Sequence, residues 1–215
     1  ANQILIEAGE WADIAIGFED GAGDPKTAAI SRRGASDWTL EVTAKPAHSS
    51  QIFQPDVGVG AIFEAARILD GFRSALSGIP NLSFNPGVIV GGTDTSLDVD
   101  SSRGTAFGKG NVIAQKVRVS GDLRSISPRQ LADAREAMKK MVAASLPGAS
   151  AMITFNEGYP PMAPTVGNAR QHRHPTPPAG TMALAPWSRS IPARLARPTS
   201  LSSPTKWTWP WMALA

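Results

Sequence analysis

From Gly34 to Ala44 apolar and polar side chains alternate. Trp38, Leu40, Val42 and Ala44 fall on one side, and Thr39, Glu41 and Thr43 on the other. A period of two predicts a strand with one face on a core. Next, Pro55 and Asp56 open a helix whose apolar stripe runs through Ile62, Ala66, Leu69, Phe72 or Arg73, and Leu76, and Gly78 with Pro80 ends it. Leu82–Val90 reads as a second strand, after which Gly91-Gly92 begins a loop running to about Gly110. Val112–Leu123 is a third strand, with Val117, Val119 and Leu123 facing the core and Arg118, Ser120, Asp122 and Arg124 facing away. Ser127, Pro128 and Gln130 make a capping box with proline at the first helical position. The helix they start carries a stripe of Leu131, Ala134, Met138, Met141 and Val142, and Pro147-Gly148 closes it before a fourth strand at Met152–Phe155.

The order strand, helix, strand, strand, helix, strand predicts a ferredoxin-like α/β (α+β) sandwich: βαββαβ, an antiparallel four-stranded sheet with both helices on one face. Before it, Asn2–Glu10 reads as the end of a helix closed by Gly9, Asp13–Phe18 as a buried apolar strand, Asp20–Pro25 as a turn, and Thr27–Arg33 as another strand.

Composition narrows the function classes. The 215 residues include no cysteine, which excludes disulfides, thiolate metal sites and cysteine nucleophiles and leaves the compartment open. No apolar run approaches the ~18 residues of a membrane span, and no signal-peptide layout stands at the start. The net charge of +3 suggests nucleic acid only until its placement is read. Arg173, Arg189, Arg194, Arg197 and Lys206 lie in the last 45 residues, so residues 1–170 hold 16 basic against 18 acidic side chains. A nucleic-acid reader needs its basic face on a folded element, so no nucleic-acid partner is expected.

From about Gln171 periodicity is lost, and eight of the 18 prolines and four of the six tryptophans follow. Pro-rich linkers are poor in tryptophan, so a shifted reading frame explains the segment better than a disordered linker. Starting one base earlier, Lys206–Ala213 reads (Val or Met)-Asp-(Leu, Met or Val)-Ala-(Leu, Met or Val)-Asp-Gly, and Ala196–Ser202 permits Gly-Ala-Ala-Asp-Val-Ser-Phe. The expectation is a disordered tail over 171–215 that lies out of frame.

Residue chemistry alone is sparse. His172 and His174 have a metal-pair spacing but lie in the Pro-rich stretch. His48 follows a strand and, taken alone, reads as a surface or capping histidine more readily than as a functional one. Glu19 after a buried strand is a metal ligand at a sheet's carboxyl edge or a turn carboxylate. There is no phosphate-binding loop, and the glycine pair at Gly58 and Gly60 precedes no dinucleotide-binding unit.

Taken together, several runs resemble the aminoacylase and glutamate carboxypeptidase family of zinc metallopeptidases, which includes succinyl-diaminopimelate desuccinylases. They are Ile16–Glu19, Arg33-Gly34, Trp38–Thr43, Ala47–Ser50, Gly58 with Gly60-Ala61, Asn85–Gly87, Gly91-Gly92, Gly110–Ile113 and Gly121–Ser125. The likeness is collinear over residues 1–170. It implies a two-zinc catalytic α/β domain interrupted by a ferredoxin-like lid through which two subunits form a homodimer. Residues 1–33 would then be a remnant of the catalytic domain, 34–158 the dimerisation domain, and 159–170 the return segment. By the same resemblance Glu19 is a zinc ligand, and His48 reaches a partner subunit's active site to donate to an oxyanion. Asn111 then binds substrate, and Arg124 holds the free carboxylate of a peptide or N-acyl amino acid. The three lid residues are expected to converge where substrate lies. Ala114 departs from the family, where proline is usual. The family's His-x-Asp motif, Glu-Glu pair and final histidine ligand are absent, so the chain is expected to be an inactive fragment. The alternative is a non-catalytic interaction module.

Overall fold

The computed structural model describes residues 2–15, 27–171 and 188–190. The chain divides into two compact units, one of residues 1–34, 125–128 and 159–215, the other of residues 35–124 and 129–158.

In the first unit, the predicted helix is present as α1, Asn2–Trp11, but it continues through Gly9, which does not close it. Asp13–Ala15 form no strand, and the rest of the expected strand, the following turn and Glu19 lie outside the described residues. The strand expected over Thr27–Arg33 is shorter: β1 is Thr27–Ala29, and Arg32 makes a separate two-bond bridge with Met162. Asn168 in α4 (Val166–Gln171) fixes this region by donating its Nδ2 to the carbonyls of Ile30 at 3.0 Å and Ala163 at 3.2 Å. Most of the 171–215 segment, including His172 and His174, is likewise outside the described residues. Ser188–Ser190 is described as β8, a short strand parallel to β1, where an irregular tail was expected.

The second unit holds the predicted βαββαβ sandwich. Its strands are β2 (Gly34–Ala44), β3 (Ser83–Gly92), β6 (Lys116–Ser125) and β7 (Ala149–Glu157), in the spatial order β3-β6-β2-β7. The pairings β2–β7 and β3–β6 are antiparallel. Helices α2 (Gly60–Leu76) and α3 (Pro128–Ala143) bury Phe72, Ile68, Met138 and Val142 in one cluster with Trp38, Leu40, Val42, Val117, Val119 and Leu123. The indole of Trp38 meets Phe72 edge-on at 5.8 Å and donates its Nε1 hydrogen to the carbonyl of Asp122 at 3.0 Å. That hydrogen bond lets a tryptophan be 1% exposed without an orphaned donor. Gly121 is the space the indole needs, because a Cβ there would stand 2.6 Å from the ring and 2.1 Å from the carbonyl oxygen of Asn85.

In the first helix of the sandwich, two expectations need correction. Helix α2 starts at Gly60 rather than Pro55, because Gly58 (φ 84°) and Gly60 (φ 75°) adopt left-handed backbone that a helix cannot continue through. Its buried face is Ala61, Glu64, Ala65, Ile68, Phe72 and Leu76, one residue round from the predicted stripe, so Ile62 is 53% exposed. The shift occurs because a carboxylate sits on the inner face. Glu64 is fully buried, paired twice with Arg67 at 2.7 and 2.8 Å and accepting the Leu146 amide at 3.3 Å. Arg67 in turn donates to the carbonyl of Met141 at 3.1 Å, so the pair ties α2 to the end of α3. The Glu64 carboxylate holds the Arg67 guanidinium above its ordinary pKa, through their hydrogen bond first.

The expected loop after Gly91 is in fact the end of β3 and a hairpin, β4 (Asp94–Asp98) against β5 (Arg103–Phe107). Among the described residues no helix is long and apolar enough to cross a membrane.

Candidate functional site

At one end of the sheet, two loops far apart in sequence are joined by main-chain bonds. The Ile113 amide donates to Ala47 at 2.9 Å, and the Ser49 amide donates to the carbonyl of Asn111 at 2.9 Å. Between them His48 and Val112 form an antiparallel bridge. The start of α2 closes the junction from a third side, with the Ala61 amide donating to the carbonyl of Ala114 at 3.0 Å. Alanine in place of proline at 114 therefore leaves this loop bonded to its neighbours.

His48 caps the 3-10 turn Ser49–Gln51. Its Nδ1 accepts the Ser50 amide at 3.3 Å and lies 2.9 Å from the Ser50 hydroxyl. With Nδ1 accepting, an imidazole in its neutral form carries its hydrogen on Nε2. His48 is exposed. Asn111 is also exposed, at the third position of the turn closed by the Val112 amide on Lys109 at 3.0 Å. One end of the sheet thus presents an exposed imidazole and an exposed carboxamide on adjacent, mutually bonded loops.

Arg124 does not join them. It lies at the far end of β6, eight residues from Lys116, which at about 3.3 Å per residue is roughly 26 Å away. The expected convergence of three side chains within one chain is therefore corrected to a pair at one end and a guanidinium at the other. Arg124 is oriented by Asp122, two residues back on the same outward face, with Nε 2.8 Å from Oδ2. Sequence reading missed Asp122 as its partner and Ser50 as the partner of His48. The alternation that set Asp122 and Arg124 on one face already carried the first signal. Among the described residues no group of three or more His, Cys, Asp or Glu could hold a metal ion. The described residues thus do not fit the metal centre that the resemblance implies, and Glu19 lies outside them.

The sequence profile of the peptidase dimerisation domain, of the M20 type, matches residues 30–150. The chain belongs to this family. Among solved structures, this dimerisation-domain chain is similar to a hydantoinase/carbamoylase-family amidase from Burkholderia phymatum. The TM-score is 0.51 and the identity 15%, over 82% of this chain and 41% of that one. Two further structures align less well. A tripeptidase from Staphylococcus aureus gives TM-score 0.46 and 18% identity over 63% of this chain and 32% of that one. The aminopeptidase PepT from Bacillus cereus gives 0.46 and 20% over 67% and 35%. The amidase likeness establishes the fold alone. No curated protein sequence matches. The chain spans about a third of the length of the first solved structures it matches.

Proposed function

We propose that this dimerisation domain serves a metal-dependent hydrolase that cleaves an amide bond next to a free carboxylate. Its substrates would be peptides or N-acyl amino acids, and the domain would contribute binding groups across a homodimer. The observation that carries the reading is the bonded junction of His48 and Asn111, which brings an exposed imidazole and an exposed carboxamide onto adjacent loops. Such a pair suits a carbonyl oxygen that gains negative charge as the amide is attacked. Arg124, with its plane set by Asp122, suits a carboxylate, because a guanidinium offers parallel donors to both oxygens. The separation of roughly 26 Å along β6 exceeds the reach of one amino acid derivative. If both groups meet one substrate, they come from two copies of the chain.

Self-association has a candidate surface in the same unit. Phe53 and Phe63 pair at 5.7 Å with 63% and 53% of their surface exposed, near the equally exposed Ile62. This patch equally favours the second reading, a non-catalytic interaction module. The two zinc ions of the reading, for which Glu19 is this chain's proposed ligand, belong to the catalytic domain. Residues 1–33 and 159–170 are assigned to that domain, 34–158 to the lid, and 171–215 to an out-of-frame segment. Sequencing independent clones of the coding DNA checks that last assignment, and a shared in-frame read removes it. The chain alone is expected to hydrolyse no amide with zinc added.

The test is a titration of the full chain with an N-acetyl amino acid, followed by amide NMR. Ser49 and Asn111 should shift, and His48→Ala or Asn111→Ala should weaken binding by up to about tenfold, the upper net value of one neutral hydrogen bond. Ligand-induced shifts confined to other surfaces would remove the assignment. Analytical ultracentrifugation should show a concentration-dependent dimer; a strict monomer would contradict both readings.

A further inference from the structure

We infer that the β4–β5 hairpin is a clamp that sets the position of Asn111 against the His48 turn. This rests on the reading of His48 and Asn111 as a substrate-contact pair and adds what holds that pair in register. An isolated two-stranded hairpin is at best marginally stable in water, and here every residue of β5 is exposed. Its order must come from where it is rooted. One root is the Thr93 amide, which donates to Phe107 at 2.8 Å, and beside it the Gln115 amide donates to Gly92 at 2.9 Å. Lys116 adds an ion pair with Asp94 at 3.2 Å, so the hairpin's foot and the start of β6 are joined by side chains as well.

Between Phe107 and Gln115 lie seven residues, 108–114, with the turn that carries Asn111 in their middle. Both ends of that segment are thus pinned to the hairpin's foot, and its middle is bonded to Ser49. The hairpin also packs back on β3. Thr95 is buried, and Gly104 lies so close to Val90 that a Cβ would stand 2.7 Å from Val90 Cγ1 and 3.0 Å from the carbonyl oxygen of Ser96. Gly92 is similarly close to the carbonyl oxygen of Phe107, at 2.5 Å from a built Cβ. Two glycines in close approach mark a seat shaped for the hairpin rather than a loop that drifts over the surface. Moving the hairpin off Val90 pulls on Phe107 and Thr93, and through them on the turn that presents Asn111. The turn that carries Asn111 is bonded both to the hairpin's foot and to the His48 loop, which makes the residues of the seat positioning residues.

The experiment is Gly104→Val in the full chain, read by amide hydrogen exchange and by the imidazole signals of His48. Exchange at Ser49 and Ile113, the donors that join the two loops, should rise about tenfold. The His48 ring signals should move with it, although no atom near His48 has been changed. Amides of Leu40 and Val119 in the core should keep their protection, which shows that the variant is folded. A second variant replaces residues 95–106 by Asn-Gly, a two-residue hairpin turn, and should give the same response if the valine variant does not fold. Unchanged exchange at Ser49 and Ile113 in a folded variant with a displaced or absent hairpin overturns the clamp. The ligand titration scores the site reading separately. A response at Ser49 and Ile113 with no ligand contact at His48 supports the clamp while removing the substrate role.

Discussion

Trp38 and His48 belong to one continuous stretch of chain, yet different forces hold them. Around Trp38 the sheet is fixed by buried side chains: the indole over Gly121, Phe72 against its edge, and Leu40 and Val119 with no exposed surface. Around His48 and Asn111, whose own side chains are exposed, the main chain does the holding, through the bonds among Ala47, Ser49, Asn111 and Ile113. Apolar burial is non-directional and contributes in proportion to area, about 25 cal/mol per Å². Main-chain bonds between loops contribute little net free energy each, about 0.5–1.5 kcal/mol, but fix direction. The first region supplies stability, and the second supplies aim.

The comparison is broken most severely at Glu64, the charged residue inside the apolar region. Glu64→Ala should cost about 3–5 kcal/mol, because removing one partner of a buried pair leaves the rest of the network unpaired. Arg67 is 30% exposed and can partly reach water, so the lower end of that range is expected. Urea unfolding monitored by far-ultraviolet circular dichroism measures it. A cost below about 1 kcal/mol would show that the pair is no more than a surface salt bridge.

Gly121→Ala probes the same region by adding volume instead of removing charge. Overpacking typically costs about 1–3 kcal/mol. The upper end applies here, since the Asn85 carbonyl oxygen is backbone and cannot swing aside from a Cβ 2.1 Å away. Val117, on the same face of β6, already carries its side chain in the core, so Val117→Ala gives the matching cavity measurement. If Gly121→Ala is neutral in the same denaturant assay, the indole does not lie over that glycine.

What the sequence made legible follows the same division. The alternation at Trp38–Ala44 and Val117–Leu123 could be read because those strands have one buried face, and a period of two has no other cause there. The α3 stripe was readable for the same reason, with Ala134, Met138 and Val142 buried as expected. In α2 the pattern misled by one residue, because Glu64 looks like a surface residue until Arg67 and the Leu146 amide are seen around it. The β4–β5 hairpin gave no apolar signal. Its order rests on backbone pairing, a Ser96–Thr105 hydroxyl contact at 3.0 Å and the seat on Val90. The family resemblance picked out His48, Asn111 and Arg124, but their spatial relation is set by loop–loop bonds that leave no mark on side-chain type. Only the structure separates Arg124 from the other two.

The smallest expected effect lies at the hairpin's tip, and it tests whether the exposed region titrates independently of the core. The Asp98 carboxylate accepts the Ser101 hydroxyl at 2.6 Å and the amides of Ser101 and Asp100 at 3.3 and 3.1 Å. These bonds, the Ser101 hydroxyl first, hold the carboxyl below its ordinary value of 3.8. A carboxyl whose pKa is depressed in the folded state stabilises that state above the ordinary value, and the contribution is lost as pH falls through the depressed one. The turn should therefore be intact at neutral pH and loosen only below about pH 4. Amide exchange at Asp100 and Ser101 should accelerate in that range relative to the intrinsic rate. Core amides such as Leu40 should stay protected wherever the chain as a whole remains folded. Asp98→Asn should show the accelerated exchange already at pH 7 and lose the acid-dependent step. Because the group is fully exposed, the midpoint of global unfolding should not move measurably. A shift of that midpoint with the tip would mean that the hairpin and the core unfold as one unit, and the division between the two regions would then be wrong.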